Sequence, residues 1–286
     1  MGAYTVANQK MNSICCPNCR KLISADEPLC PHCGTSNPGS WWKNNLFIRG
    51  LDNTDNLIYA VIAVNVGMFV ISLMLNSRFP GLSVNPFHVL SPENRSLFFL
   101  GATGTIPIDR YHRFWTLISA NYLHGGILHL LFNMFAFRQL AALVAREYGT
   151  YRMIILYSLG GAIGFWISYR AGITFTIGAS AAICALIGAI LYYGISRGGT
   201  YGRAIYAQIG SWALAIFLFG FLVPEINNWG HMGGFFAGAV LGYFLGYQEK
   251  EREKLFHKIT AVVCVAATAV ILAGAVAFGI YCRIFT

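Results

Sequence analysis

The chain has 286 residues, of which 56% are hydrophobic and only 11% are charged. Soluble domains carry about 25% charged residues, so this composition excludes an ordinary water-soluble fold and indicates a polytopic membrane protein. The net charge is +9, but the Lys and Arg residues lie between apolar runs, where they report membrane orientation and not nucleic-acid binding.

The polar N-terminal segment contains two matching cysteine turns, each with the pattern Cys-Pro-x-Cys. Four thiolates from two such turns can surround a zinc ion tetrahedrally. Two disulfides are the alternative, and a cytoplasmic location disfavours them. The repeated pattern favours Cys16 over Cys15 as the first ligand. We therefore predict a zinc-ribbon-like cytoplasmic module over residues 1–40, with a cytoplasmic protein partner or a regulatory task as its default role. The ligands of its structural zinc would be Cys16, Cys19, Cys30 and Cys33.

A juxtamembrane linker is predicted over residues 41–56, and seven apolar runs follow it, each near the ~20 residues that cross a bilayer. The predicted spans cover residues 57–75, 125–145, 151–169, 178–195, 205–223, 229–247 and 260–281. Lys and Arg are concentrated in the short loops after the second, fourth and sixth spans, which predicts a cytoplasmic N-terminus. We expect a multi-pass protein of a bacterial inner or plasma membrane, whose long segment between spans one and two is extracytoplasmic.

None of the eleven acidic residues falls within a predicted span. This distribution disfavours a small transporter, because proton- or ion-coupled transporters commonly use intramembrane carboxylates. It also disfavours an intramembrane aspartyl protease, which needs two aspartates, and the sequence contains no His-Glu-x-x-His pattern of a metalloprotease. The polar groups that remain at membrane depth are serine, histidine and asparagine.

A serine and a histidine begin two of the predicted spans. Ser180 follows Gly178 at the start of span four, and His231 lies at the start of span six. Both spans run from outside to inside, so the two side chains are expected at the same end of parallel helices. A serine beside a histidine is the minimum for an activated nucleophile. Each residue taken singly has an ordinary explanation. A serine in a span usually bonds the backbone of its own helix, and a histidine at a helix end is usually a satisfied interface residue.

Span two has the same direction and carries further polar groups in its outer half. His129 and Asn133 are four residues apart and therefore share a helix face. Their N–H groups can donate to an oxyanion beside Ser180, as can the backbone N–H of Ser180 at its helix start. His124 lies on a different face and is expected to structure the loop before this span. Three polar clusters at one depth in three co-oriented helices favour catalysis over the separate explanations.

Small residues on spans four and six predict close helix packing. Span six carries a glycine at every fourth position, and span four offers a matching stripe of small side chains. Stripes of this kind let two helix backbones approach closely. Their contact would bring Ser180 to His231. The two sets are Gly230, Gly234, Gly238, Gly242 and Gly246 on span six, and Ala181, Ala185, Gly188 and Ala189 on span four.

These residues resemble the rhomboid family of intramembrane proteases, over about residues 56 to 250. The family has His-x4-His-x3-Asn in its second helix, Gly-x-Ser at the head of its fourth, and His before a glycine stripe in its sixth. All three motifs occur here in that order. They are matched by His124, His129 and Asn133, by Gly178 and Ser180, and by His231 with the stripe that ends at Gly246.

The resemblance implies an all-α polytopic membrane protein with a six-helix catalytic core over residues 57–250. A cytoplasmic loop and a seventh transmembrane helix would follow over residues 251–286. It further implies a Ser–His dyad of Ser180 and His231, oxyanion support from His129 and Asn133, and no cofactor in catalysis. Transmembrane proteins would be the substrates. An inactive relative that binds membrane-protein helices is the alternative, although such relatives typically lose the Ser or the His.

Overall fold

The structure is a computed structural model that describes residues 13–19, 21–40, 53–77, 89–223 and 226–285. Most of the linker expected at residues 41–56 lies outside these ranges. In the N-terminal module, strands β1 (Ser13–Cys15) and β2 (Leu22–Ser24) pair antiparallel, with Ile14 opposite Ile23. This short hairpin near the cysteine turns fits a zinc-ribbon module.

The rest of the described chain is almost entirely helical. Seven long helices coincide with the seven predicted spans, so the predicted all-α architecture is confirmed. The seventh begins five residues before its predicted span, because a hydrogen-bonded helix continues past the lipid-crossing stretch that hydropathy detects. The helices are α1 (Thr54–Met74), α2 (Asn94–Phe99), α3 (Thr116–Ser119), α4 (Ile127–Tyr148), α5 (Thr150–Arg170), α6 (Ser180–Arg197), α7 (Gly199–Leu222), α8 (Asn228–Leu245) and α9 (Leu255–Phe285).

Five helices in the described ranges are long and apolar enough to cross a membrane, namely α1, α4, α6, α7 and α9. Helices α5 and α8 also form, but they carry more glycine and polar residues than a lipid-facing span needs. Their glycines face neighbouring helices, where small residues give close packing instead of lipid contact. The protein is therefore an integral multi-pass membrane protein in which α5 and α8 turn their glycine faces to neighbouring helices, while the opposite face of α8, with Phe236, Val240 and Phe244, is exposed.

Helix α6 lies at the centre of this bundle and packs against α4, α5, α7 and α8. A Cβ on Gly234 would overlap the carbonyl oxygen of Ala181, and a Cβ on Gly238 would overlap that of Ala185. Further along, a Cβ on Gly242 would lie 3.3 Å from the Cα of Ala189. The predicted contact between the two stripes is thus confirmed. Because the paired residue numbers increase together along both helices, α6 and α8 run parallel.

A polar cluster joins the turn between α4 and α5 to the loop between α8 and α9. The wholly buried Arg152 donates from Nη1 to the carbonyl oxygens of Tyr148 and Glu251, at 3.1 and 2.8 Å, and from Nη2 to that of Arg252. Its backbone N–H donates to the Glu253 carboxylate at 2.8 Å. Burial raises the pKa of that carboxyl above its usual value. This Arg152 cluster fixes the end of the bundle at which α6 and α8 terminate.

Helix α9 packs along α5 and also touches the loop that precedes α4. The guanidinium of Arg113 in this loop lies 4.6 Å from the ring centroid of Phe98 and 4.7 Å from that of Phe278 on α9. Cation–π contacts of this kind contribute roughly 0.5–2 kcal/mol. The seventh helix therefore holds the loop at the opposite end of the bundle from Arg152.

Candidate active site and metal centre

Ser180 and His231 lie at the same end of two directly packed helices. Ser180 is the first residue of α6, and His231 lies in the first turn of α8. The contact of Gly234 with Ala181 sets the register, so the two side chains are at one level. Ser180 is half-buried, whereas His231 is 5% exposed. Among the described residues, Nδ1 of His231 has no hydrogen-bond partner, and no hydrogen bond joins its ring to Ser180.

Gly178 opens a small space beside the Ser180 hydroxyl. Its φ of 125° lies in the region that disfavours residues with a side chain. A Cβ at this position would lie 3.0 Å from Nε2 of His129 and 3.5 Å from Oγ of Ser180. His129 and Ser180 therefore face one another across a gap that only glycine leaves open.

The hydrogen bonds of His129 determine which ring nitrogen carries its proton. The backbone N–H of Gly125 donates to Nδ1 at 3.4 Å, so in the neutral ring Nε2 bears the hydrogen. This assignment follows from the hydrogen-bond network. Nε2 and Cε1 are the ring atoms nearest to the space beside Gly178, where the Nε2–H group can donate to a developing negative charge.

Asn133 and His124 are both buried and both contact His129. Nδ2 of Asn133 donates to the carbonyl oxygen of His129 at 2.8 Å, which engages one of its two amide hydrogens with its own helix. The ring of His124 is 5.1 Å from that of His129, centroid to centroid, in an edge-to-face arrangement. Neither nitrogen of His124 has a hydrogen-bond partner within the described residues. His124 thus contacts His129 and not the Ser180 hydroxyl.

The segment before Ser180 is held by the long loop between α1 and α4. Thr103 and Thr176 exchange two backbone hydrogen bonds, of 3.0 and 2.7 Å. The N–H of Gly178 donates to the carbonyl oxygen of Ala120 at 2.9 Å. These bonds fix the backbone that leads into α6 and thereby the position of the Ser180 hydroxyl.

Sequence reasoning missed one residue of this region, Asn227. It is the N-cap of α8, where its Oδ1 accepts from the N–H of Gly230 at 2.9 Å. The available signal was an asparagine two residues before the predicted start of span six, which is a common N-cap position. The side chain also bonds other elements, which hydropathy does not reveal.

The four predicted cysteine ligands come together in the N-terminal module. The sulfur atoms of Cys16, Cys19, Cys30 and Cys33 all lie within 4.8 Å of one another. Two of the distances, from Cys16 to Cys33 and from Cys19 to Cys30, are 3.7 Å. Tetrahedral zinc with bonds of about 2.3 Å requires about 3.8 Å between sulfurs, so this cluster fits a metal ion. Cys15 is exposed and lies outside the cluster, as the repeated pattern predicted.

The bundle and its polar end define a polytopic helical membrane protein, and comparison with known proteins shows what it is similar to. The Rhomboid domain model matches residues 111–248. These residues therefore form a Rhomboid domain, which covers just under half of the chain. The matched range contains Ser180, His231, His129 and Asn133.

Several curated relatives are similar to this chain. RHOMBOID-like protein 1 of Arabidopsis thaliana is 30% identical over 207 residues, which cover 65% of this chain and 52% of the relative. Rhomboid protease GluP of Bacillus subtilis is 37% identical over 132 residues, covering 45% and 26%. Inactive RHOMBOID-like protein 8 of Arabidopsis thaliana is 26% identical over 245 residues, covering 77% and 69%. The chain thus spans about half the length of the first relatives that it matches.

Proposed function

We propose that this chain is an intramembrane serine endopeptidase that cleaves transmembrane proteins within or near the bilayer. Ser180 is the nucleophile and His231 is its general base. The observation that carries the proposal is their shared level, in the first turns of two parallel helices in backbone contact. The similarity to a protein named as a rhomboid protease adds support.

In the first half of the reaction, Oγ of Ser180 attacks the carbonyl carbon of the scissile peptide bond while His231 takes the hydroxyl proton. The carbon–nitrogen bond of the resulting tetrahedral intermediate then breaks, and His231 returns the proton to the leaving amine. The product is an ester between the substrate's acyl group and Ser180. The hydroxyl–imidazole hydrogen bond forms with bound substrate, because catalytic hydrogen bonds often tighten only in that complex.

In the second half, water attacks the ester and His231 accepts a proton from that water. Collapse of the second intermediate releases a carboxylic acid and returns the proton to Oγ of Ser180. A dyad suffices for this sequence, since the imidazole alternates between base and acid. No cofactor takes part in either half.

The oxyanion of both intermediates is proposed to occupy the space beside Gly178. Nε2–H of His129 faces this space, and the backbone N–H of Ser180 belongs to the first turn of α6, where N–H groups lack a partner in the helix. The second amide hydrogen of Asn133 is proposed to complete the set. Losing one such donor typically lowers kcat about 10²- to 10³-fold.

The test is cleavage of a fluorogenic transmembrane substrate by the purified full chain in liposomes. We expect Ser180→Ala to abolish cleavage and labelling by a fluorophosphonate probe while the thermal midpoint of unfolding persists. Ser211→Ala is the matched control, because the hydroxyl of Ser211 only bonds its own helix, at the carbonyl oxygen of Gln208. Undiminished cleavage by the Ser180 variant would refute the proposal.

A second candidate function is a non-enzymatic relative that binds membrane-protein helices. The observation in its favour is the similarity to a protein named as inactive. Probe labelling distinguishes the two, since a binding protein leaves Ser180 unmodified by the fluorophosphonate. Retention of both Ser180 and His231 favours the enzyme.

For the rest of the chain we propose residues 1–40 as a structural zinc module, 41–56 as a linker, 57–250 as the catalytic core and 251–286 as the loop and seventh helix. The basic short loops favour a cytoplasmic N-terminus and a site that opens to the extracytoplasmic side. A reporter fused to the N-terminus tests this orientation, since activity in the extracytoplasmic space would contradict it. A cytoplasmic protein partner of the module would be recovered with the full chain and lost without the metal.

A further inference from the structure

The geometry points to Asn227 as a positioning residue that joins the segment carrying Ser180 to the helix carrying His231. The inference rests on the proposed function, because it concerns how those two side chains are held in register. Within the described residues, no hydrogen bond joins the side chain of Asn227 to Ser180 or to the ring of His231, so its effect on the reaction is exerted through the elements it links.

The side-chain amide of Asn227 reaches three separate elements. Nδ2 donates to Oγ of Ser168 near the end of α5 at 2.7 Å and to Oγ1 of Thr176 in the segment before α6 at 3.0 Å. Oδ1 accepts from the N–H of Gly230 in the first turn of α8 at 2.9 Å. The backbone carbonyl oxygen of Asn227 also accepts from the N–H of His231 at 3.1 Å.

These bonds use both donors and one of the two acceptor positions of the amide. A rotated amide would point its NH2 group at the N–H of Gly230. The partners are held firmly, since Ser168 is fully buried and Thr176 is 7% exposed. An amide that is bonded to buried hydroxyls holds the elements that it joins in fixed relative positions.

The bond to Thr176 is the direct link to the nucleophile. Thr176 is anchored to Thr103 by two backbone hydrogen bonds and precedes Ser180 by four residues, with Gly178 between them. On the other side, Asn227 caps the turn of α8 that contains His231. Glycine–alanine packing sets the distance and the register of α6 and α8. The amide of Asn227 in addition ties the segment that leads into Ser180 to the first turn of α8.

The Asn227→Ser variant is designed to keep the N-cap of α8 and to remove the hydrogen bonds to Ser168 and Thr176. Serine caps a helix as well as asparagine does, but its side chain is too short to reach Ser168 and Thr176. We expect kcat to fall about tenfold or more with KM and the thermal midpoint little changed, since small misplacements of reacting groups are costly. Asn227→Asp should recover much of kcat, because its second oxygen can accept from the rotatable hydroxyls of both partners.

Thr176→Val supplies the second arm, because it removes the hydroxyl and keeps the shape of the side chain. Combined with Asn227→Ser, it should lower kcat no further than either change alone, as expected for two ends of one interaction. Asn228→Ser is the matched control: this neighbouring amide donates to the carbonyl oxygen of Gly220 on the peripheral α7, at 2.9 Å, and we expect a kcat near that of the unmodified chain.

The outcomes separate this inference from the proposed function. If Ser180→Ala abolishes cleavage while Asn227→Ser and Thr176→Val both retain full kcat, the positioning role is wrong and the protease survives. Additive losses in the double variant would also overturn it. If Asn227→Ser lowers both the thermal midpoint and kcat, Thr176→Val decides between the two explanations. A lower kcat at an unchanged midpoint in this variant supports the link, and an unchanged kcat refutes it.

Discussion

The two ends of the helix bundle differ in how fully their buried polar groups are paired. At the Arg152 end, both terminal nitrogens of a fully buried guanidinium donate to carbonyl oxygens of α4 and of the facing loop, and only its Nε has no partner within the described chain. At the Ser180 end, Nδ1 of His231 and both nitrogens of His124 are buried without a hydrogen-bond partner within the described chain. Unpaired buried polar groups cost stability, so a fold retains them where another use offsets the cost.

This difference is the one expected between a structural polar site and the proposed reactive one. The Arg152 cluster satisfies most of its donors from within the protein, as a permanent joint between helices requires. In the proposed function, the groups at the Ser180 end exchange protons and bind a charge that develops only during the reaction, so permanent partners would compete with the substrate. We therefore propose that stability and reactivity are concentrated at opposite ends of the same helices.

The sharpest test of this comparison replaces a buried histidine at each end of the bundle, in two separate variants. His231→Leu should lower cleavage by at least about a thousandfold, because the general base is lost. It should leave the thermal midpoint unchanged or higher, since an unpaired buried nitrogen is removed. The measurements are initial cleavage rates in liposomes and unfolding followed by differential scanning fluorimetry in detergent.

His257 supplies the matched change at the Arg152 end. It is as buried as His231, but its Nδ1 accepts from the N–H of Lys254 at 2.9 Å. His257→Leu should therefore lower stability, by about 1 kcal/mol, and keep the cleavage rate of the folded fraction. A His231 variant that is destabilised while the His257 variant is not would break the comparison.

A change of intermediate effect is Arg152→Met. It removes the donors of three carbonyl oxygens while keeping an aliphatic side chain of similar length. We expect a loss of about 3 kcal/mol in stability, with cleavage reduced only as far as the protein unfolds. Arg203→Met is the control, because Arg203 is exposed on α7. A cleavage defect at a temperature where the Arg152 variant is fully folded would contradict a purely structural role.

The smallest effect on cleavage is expected from the cysteine cluster. Like the Arg152 cluster, its polar atoms face one another and not a space for substrate. Elemental analysis should find about one zinc per chain, which Cys19→Ser abolishes and Cys15→Ser retains. Cleavage by the purified Cys19→Ser chain should match that of the unmodified chain. Zinc bound equally by both variants would overturn the ligand assignment.

Much of this architecture could be predicted from the sequence because it depends on local signals. Apolar runs predicted the long helices, and the Cys-Pro-x-Cys repeat predicted which sulfurs meet, including the exclusion of Cys15. The glycine stripe predicted the face by which α8 contacts α6. The packing of α5 against both α6 and α8 could not be predicted in this way, because hydropathy measures a helix without its neighbours.

The sequence by itself determined the membrane class, the four cysteines that cluster and the candidate reactive residues, since each follows from composition or short spacing. Only the tertiary structure decided how they are held. Asn227 and Ser168 are 59 residues apart, and Arg152 bonds the carbonyl oxygen of a residue 99 positions away. A hydrogen bond requires its two atoms to lie within about 3 Å, and only the packing of separate helices brings such distant residues so close.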